Sequence, residues 1–161
     1  MIVILDTGVL GFATNPSQSN TEAFQCQQWL KKLLKRRVLV IIPEIAYYES
    51  RRKHIHLKNL EACRRLEDFV NSPGIAYAPI TTEIMLKAAD LWAWARQTGQ
   101  QTADDKSLDS DVILAATAIV IALQEGNHVV IATTNVGHLA RYTPAKKWED
   151  INEKYLKSVS S

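Results

Sequence analysis

Three acids and one amide stand where an apolar run meets a polar step, and together they are the residues in this chain most able to do chemistry. Asp6 follows Ile2-Val3-Ile4-Leu5, Glu49 lies six residues beyond Pro43, Asp111 precedes the apolar stretch Val112 to Leu123, and Asn135 follows Val129-Val130-Ile131-Ala132-Thr133-Thr134. Each has an ordinary structural use. Asp6 can cap a following helix, Glu49 can pair with Arg52 or Lys53 one turn on, and Asn135 can sit in a turn. Asp109 and Asp111 suit the start of a helix, as N-cap and first-turn acid, where backbone N–H groups and the macrodipole favour negative charge. Gathered on one rim, however, close carboxylates repel by about 4 kcal/mol per pair at an effective dielectric near 20, unless a cation or proton intervenes. Hard oxygen donors without paired His or Cys favour Mg²⁺ or Mn²⁺ over zinc. The histidines do not alter this: His54 and His56 do not share a helix face, and His128 and His138 read as isolated.

The elements that position these residues follow from hydrophobic period. Ile2 to Leu5, Val38 to Ile42 and Val129 to Ala132 are short, continuous and rich in β-branched residues, the pattern of strands buried on both faces of a parallel sheet. Ile75 to Ile80 supplies a further short strand. Helices are expected from Asn20 or Thr21 through Leu34, from Pro43 past Glu49, from about Leu57 to Val70, and from Thr81 to the stop at Gly99. Gln100 to Ser107 reads as a polar loop. Val112 to Leu123 carries Thr117 as its one polar side chain, so this helix has no face for water and belongs inside. Pro144 and Trp148 fall in a last element closing the sheet edge. Strands alternate with helices throughout, which predicts an α/β fold, a three-layer α/β/α arrangement around a mainly parallel sheet. In such a sheet a ligand site lies beyond the carboxyl ends of the strands, at the switch point of strand order, where Asp6, Glu49, Asp111 and Thr133 to Asn135 would converge.

Composition narrows the classes. At 161 residues with 47% hydrophobic and 22% charged side chains, residues 1–161 read as one globular domain with a substantial core. A net charge of +2 permits a nucleic-acid partner without demanding one. Cys26 and Cys63 follow no redox or metal spacing, which suggests a reducing compartment. The opening apolar run is cut off by Asp6, leaving neither signal peptide nor spanning segment, and a cytoplasmic location is expected. There is no Gly-rich phosphate loop. Leu5-Asp6-Thr7-Gly8 also resembles the aspartic-protease signature, but those enzymes are mostly β with two such aspartates, and this chain has one in a largely helical pattern.

With these anchors placed, the chain resembles the PIN-domain ribonucleases, and in size and layout it is most similar to VapC-type toxins of toxin–antitoxin pairs. The resemblance runs from Met1 to about Trp148. It rests on Ile4-Leu5-Asp6-Thr7, on Ile42 through Glu49, on Asp111 through Ala118 and on Ala132-Thr133-Thr134-Asn135, in that order and spacing. It implies that Asp6, Glu49 and Asp111 hold a divalent ion, Mg²⁺ or Mn²⁺, with Thr7 and Thr133 as supporting hydroxyls. Asn135 takes the fourth catalytic position, where many members carry Asp, so a neutral amide adds no charge for a second ion. Asp109 is then a candidate compensating ligand from the loop side. The implied reaction is metal-assisted hydrolysis of an RNA phosphodiester. The expected partners are RNA, a small antitoxin protein and a second copy of the chain, with no membrane. The alternatives are a nucleic-acid-binding PIN domain with weak or no catalysis and a stand-alone RNA-processing nuclease. Lys31, Lys32, Lys35, Arg36, Arg37, Arg51, Arg52 and Lys53 are the candidate phosphate contacts. Phe24, Trp29, Tyr47 and Tyr48 offer more large apolar surface than a small domain needs, and a dimer or partner contact is expected there.

Overall fold

The computed structural model describes residues 1–17, 19–100 and 105–159, and the side chains of these residues except 105–109. Strands β1 (Ile2–Leu5), β2 (Leu39–Pro43), β3 (Ile75–Ala78), β4 (Val129–Thr133) and β5 (Ala145–Lys147) form one sheet in the order β3-β2-β1-β4-β5. Each neighbouring pair is parallel. The chain builds outward from β1 through β2 to β3, then crosses back to place β4 on the other side of β1. The strand order therefore reverses between β1 and β4, and their carboxyl ends lie side by side there, with Ile4 opposite Ile131 and Leu5 opposite Ala132.

Alternation along the strands makes the three layers. Val3, Leu5, Val40, Ile42, Val130 and Ala132 face one side, where they pack on α1 (Thr7–Ala13), α2 (Thr21–Lys35), Leu66 of α4 (Leu60–Val70) and Leu156 of α8 (Glu153–Ser158). Ile2, Ile4, Ile41, Val129 and Ile131 face the other, against Leu114 and Ala118 of α6 (Asp105–Glu125), Ile45 of α3 (Glu44–His56) and Leu139 of α7 (Val136–Leu139). The opposite side of α6 presents Val112, Ala116 and Val120 to Ile84 and Ala88 of α5 (Thr82–Gln97). A helix wedged between a sheet and another helix needs apolar residues on both flanks, which is why α6 carries so few polar ones. Its last turn emerges from the core, where Leu123 is 72% exposed, contrary to the expectation that the whole stretch is enclosed.

Two local expectations are met through caps. Asn20 and Thr81 accept backbone N–H bonds from Ala23 and Ile84 and so start α2 and α5; Asn59, accepting from Ala62, starts α4. Others are corrected. α6 begins at Asp105, not after Ser107, so Asp109 is not an N-cap and Asp111 lies beyond the first turn. Pro43 ends β2 and serves as the N-cap position of α3, its extended φ and ψ continuing the strand. The helix expected from Leu57 starts at Leu60, because Lys58 adopts φ +53°, a left-handed turn that a helix cannot include. The short helix α1 was hidden in the sequence by its two glycines. Gly8 is required by close approach: a Cβ there would lie 2.8 Å from Thr134 Oγ1, so α1 sits directly on the exit of β4. Trp29 is a core residue, its indole N–H bonded to the Ile151 carbonyl at 2.9 Å and its ring 5.7 Å from that of Trp148, so it offers no partner surface. Among the described residues no helix is long and apolar enough to cross a membrane.

Candidate active site

The carboxyl ends of β1 and β4 deliver Asp6 and Thr133 to the same point. The Asp6 N–H still bonds the Ala132 carbonyl at 3.0 Å, so the sheet fixes its backbone. Both of its carboxyl oxygens are then engaged: Oδ1 accepts from the Thr7 N–H and Oδ2 from the Thr133 hydroxyl, each at 2.6 Å. Thr133 is fully buried and is held in turn, because its hydroxyl oxygen accepts the Asn135 N–H at 3.0 Å. The helix-capping use of Asp6 is thus real, and it coexists with a place on the rim.

Glu49 arrives from α3. Its Oε2 accepts from the Thr7 hydroxyl at 2.6 Å and its Oε1 from the Ser110 hydroxyl at 2.8 Å, linking α1, α3 and α6. The anticipated ion pair with Arg52 is long, 3.5 Å, and on the exposed side, so the hydroxyls fix this carboxylate more than the guanidinium does. Asp111 lies on α6 with Oδ2 at 3.2 Å from His138 Nδ1 of α7. His138, which the sequence left isolated, is therefore paired with an acid of the rim. So is Ser110, which sequence reasoning passed over. One signal for both was available: Ser110 adjoins Asp111, and His138 stands three residues past Asn135, on the helix that leaves the carboxyl end of β4.

These acids oppose one another's ionisation. Burial pushes the Asp6 carboxyl above its ordinary range and the negative charge of Glu49 adds to this, while the bonds from Thr133 and Thr7 pull the other way. Burial likewise raises Asp111; His138 opposes the shift, and the charges of Asp6 and Glu49 reinforce it. Asn135 is joined to the group through its backbone N–H; it occupies the N-cap position of α7 without a side-chain cap bond. The side chain of Asp109 lies outside the described residues.

Among the described residues no three His, Cys, Asp or Glu side chains close on a common point as they would around an ion held by protein atoms alone. This does not conflict with Mg²⁺ or Mn²⁺: Mg²⁺ keeps most of its water and takes one or two carboxylates. Asp6, Glu49 and Asp111 are all-oxygen donors whose mutual repulsion a cation would relieve. The donors present fit such an ion.

No family model matches this chain, and no curated protein matches it in sequence. Solved structures do match in fold. A chain of VapBC2 from Rickettsia felis, bound to a DNA fragment from its promoter, aligns with a TM-score of 0.67 at 16% identity, covering 92% of this chain and 99% of that one. FitAcB from Neisseria gonorrhoeae gives 0.65 at 20% identity with the same coverage, and DNA-bound VapBC from Salmonella typhimurium gives 0.66 at 15%, covering 92% and 98%. The fold is PIN-like. At these identities the likeness establishes the architecture, an α/β/α layering on a parallel sheet, and leaves the chemistry to the residues at the rim.

Proposed function

We propose that the protein is a Mg²⁺- or Mn²⁺-dependent endoribonuclease, acting as the toxin of a toxin–antitoxin pair. The observation that carries this reading is the hydroxyl-linked set of acids at the switch point of a PIN-like sheet: Asp6 held by Thr133, Glu49 held by Thr7 and Ser110, and Asp111 beside them. Asp6, Glu49 and Asp111 are the residues that would hold the ion, with Asp109 an additional candidate. A bound divalent ion supplies a Lewis acid for the phosphoryl oxygen and lowers the pKa of an attacking water. The protein's part is positioning. Thr133 and Thr7 fix the carboxylate planes of Asp6 and Glu49 through short bonds, so their orientation is set before any ligand arrives. His138 orients Asp111 and lies within reach of the same rim. Asn135 adds no charge at the fourth position. That neutral position favours a second reading, a PIN domain that binds nucleic acid and cuts weakly or not at all.

The VapBC structures that share this fold motivate the antitoxin partner, and the basic side chains motivate an RNA substrate. Incubating labelled single-stranded RNA with the protein in Mg²⁺, in Mn²⁺ and in EDTA decides between the readings. Cleavage that requires the ion and disappears in Asp111→Asn supports the nuclease. Binding with no cleavage in any of the three conditions supports the second reading. Arrest of growth on expression, relieved by a small protein encoded beside it, supports the toxin role.

A further inference from the structure

Beside the acids, a cleft of about 590 Å³ runs between α1 and the α3–α4 pair. One wall carries Thr7 and Thr134, neighbours in sequence of Asp6 and Thr133, so the cleft opens onto the acidic rim. The facing wall carries Lys53, His54 and Arg65. Most of the basic residues named from sequence are occupied or lie elsewhere: Arg36 pairs with Glu153, Arg51 with Glu67 and Arg52 with Glu49. Arg65 is different. Its Nε is buried with no hydrogen-bond partner among the described residues, and the side chain lines the cleft. His54 reports the same cationic surroundings: burial, then Lys53 and Arg65, hold its pKa below the ordinary histidine value. Among the described residues Glu22 is the one acid on the lining.

The α1 wall leaves space for a chain to lie along it. Gly8 and Gly11 are one turn apart, and a Cβ built on Gly11 meets nothing within 4 Å. Two cations facing a helix wall that is open at Gly11, beside a set of acids, suit a sugar–phosphate backbone: the phosphates meet Lys53 and Arg65 while the scissile bond reaches the rim. We propose that this cleft is the subsite that holds the RNA backbone upstream or downstream of the cleaved bond, with Arg65 and Lys53 as its phosphate contacts. This rests on the nuclease reading for its substrate and is tested without it.

Binding of a short fluorescein-labelled uridylate oligomer is followed by anisotropy in EDTA, where no metal-dependent cleavage occurs. Lys53→Gln and Arg65→Gln should each weaken binding about tenfold, the size of one charge-assisted contact, and lower the slope of log K against log salt by about 0.7. Arg64→Gln, an exposed neighbour already paired with Glu61, should bind as the parent does. Arg65→Lys retains the charge if the neutral variant misfolds, and should recover part of the affinity. Gly11→Leu is the steric arm: the open space around its Cβ predicts a fold at least as stable, with helix propensity in its favour, and a cleft too full to take the oligomer. Parent-like affinity and salt slope in Lys53→Gln and Arg65→Gln would overturn the assignment. So would equal losses in Arg64→Gln, or a cleft that ignores the oligomer but binds oligoglutamate with the same Lys53 and Arg65 dependence, which would mark an acidic protein segment as its occupant. Loss of cleavage with retained cleft binding would instead strike the nuclease reading alone.

Discussion

Asp111→Asn is the most informative single change, because Asp111 is a rim acid with one hydrogen-bonded partner among the described residues. Asp6 lacks that simplicity. Its two oxygens each accept a bond, from Thr7 N–H and from the Thr133 hydroxyl, and an amide can replace only one of them. Asp6→Asn therefore mixes relief of charge with loss of a short, buried contact, whereas Asp111→Asn gives up only the longer, half-exposed one to His138. Two unit charges about 8 Å apart at an effective dielectric near 20 repel by about 2 kcal/mol. Asp6 and Glu49 both act on Asp111 in this sense, and its side chain is 23% exposed, so after solvent screening the repulsion it feels is on the order of 2 kcal/mol. The His138 contact that is lost is 3.2 Å long with the histidine 40% exposed, worth at most about 1 kcal/mol. The metal-free variant should be more stable than the parent by about 1 kcal/mol at pH 7, a rise in Tm of about 2–4 °C. The gain has a defined pH dependence. The folded-state pKa of Asp111 is raised, so its neutral form is the stable one in the fold; stability is fully present below the unfolded value of 3.8 and is lost as pH rises through the folded value. The gap between variant and parent should close on acidification toward 3.8. Mg²⁺ should then raise the Tm of the parent, by about 2.7 kcal/mol of stability at a hundredfold excess over Kd, and leave the variant nearly unchanged. Calorimetric melting across pH, with and without Mg²⁺, reads all three. A destabilised variant, or a gap that widens in acid, would refute the reasoning.

Thr133→Val removes the hydroxyl that donates to Asp6 and accepts from Asn135, so urea unfolding should show a loss of about 2–4 kcal/mol, largely restored in Thr133→Ser. Gly8→Ala should destabilise despite the helix propensity it adds, because its Cβ would meet Thr134 Oγ1, and Thr134→Ala in the same chain should reverse the sign in a double-variant melt. Trp29→Ala should cost about 3–5 kcal/mol in the same assay, as befits a buried ring with a satisfied N–H rather than a docking residue. Phe24 and Tyr48, 52% and 54% exposed, retain the expectation of a second copy or partner on this side; sedimentation should show association at micromolar concentration that Phe24→Ser or Tyr48→Ser weakens.

The parallel sheet was legible because strands buried on both faces need continuous apolar runs, and Ile2 to Leu5, Val40 to Ile42 and Val129 to Ala132 are of that kind. What the sequence concealed was set by contacts of a few atoms. α1 follows Asp6 without a polar loop, and its two glycines weaken the helical signal, yet Asp6 caps it and Thr134 packs against it. The beginning of α6 was misread for the opposite reason: acids and serine look like a capping region, and Asp109 and Asp111 supplied a plausible cap several residues too late. Trp29 looked like surplus surface because no periodicity can say that a carbonyl from Ile151, more than a hundred residues away, will accept its N–H.

The rim shows why the acids could be named from sequence and their partners could not. Asp6 follows β1 directly, while Glu49 and Asp111 are carried by α3 and α6, which pack on the sheet, so their convergence follows from topology once the elements are assigned. Ser110, Thr133 and His138 act at shorter range: Ser110 bonds Glu49 across 61 residues, Thr133 bonds Asp6 across 127, and His138 meets Asp111 across 27. These bonds impose a direction on carboxylates whose charge the fold itself penalises, as the raised Asp6 and Asp111 carboxyls show. A protein gains nothing in stability by burying acids against one another, and the hydroxyls recover part of that cost without removing the charge. On the proposed reading a cation would reward that charge, and a gain of stability in metal-free Asp111→Asn would be its measurable trace.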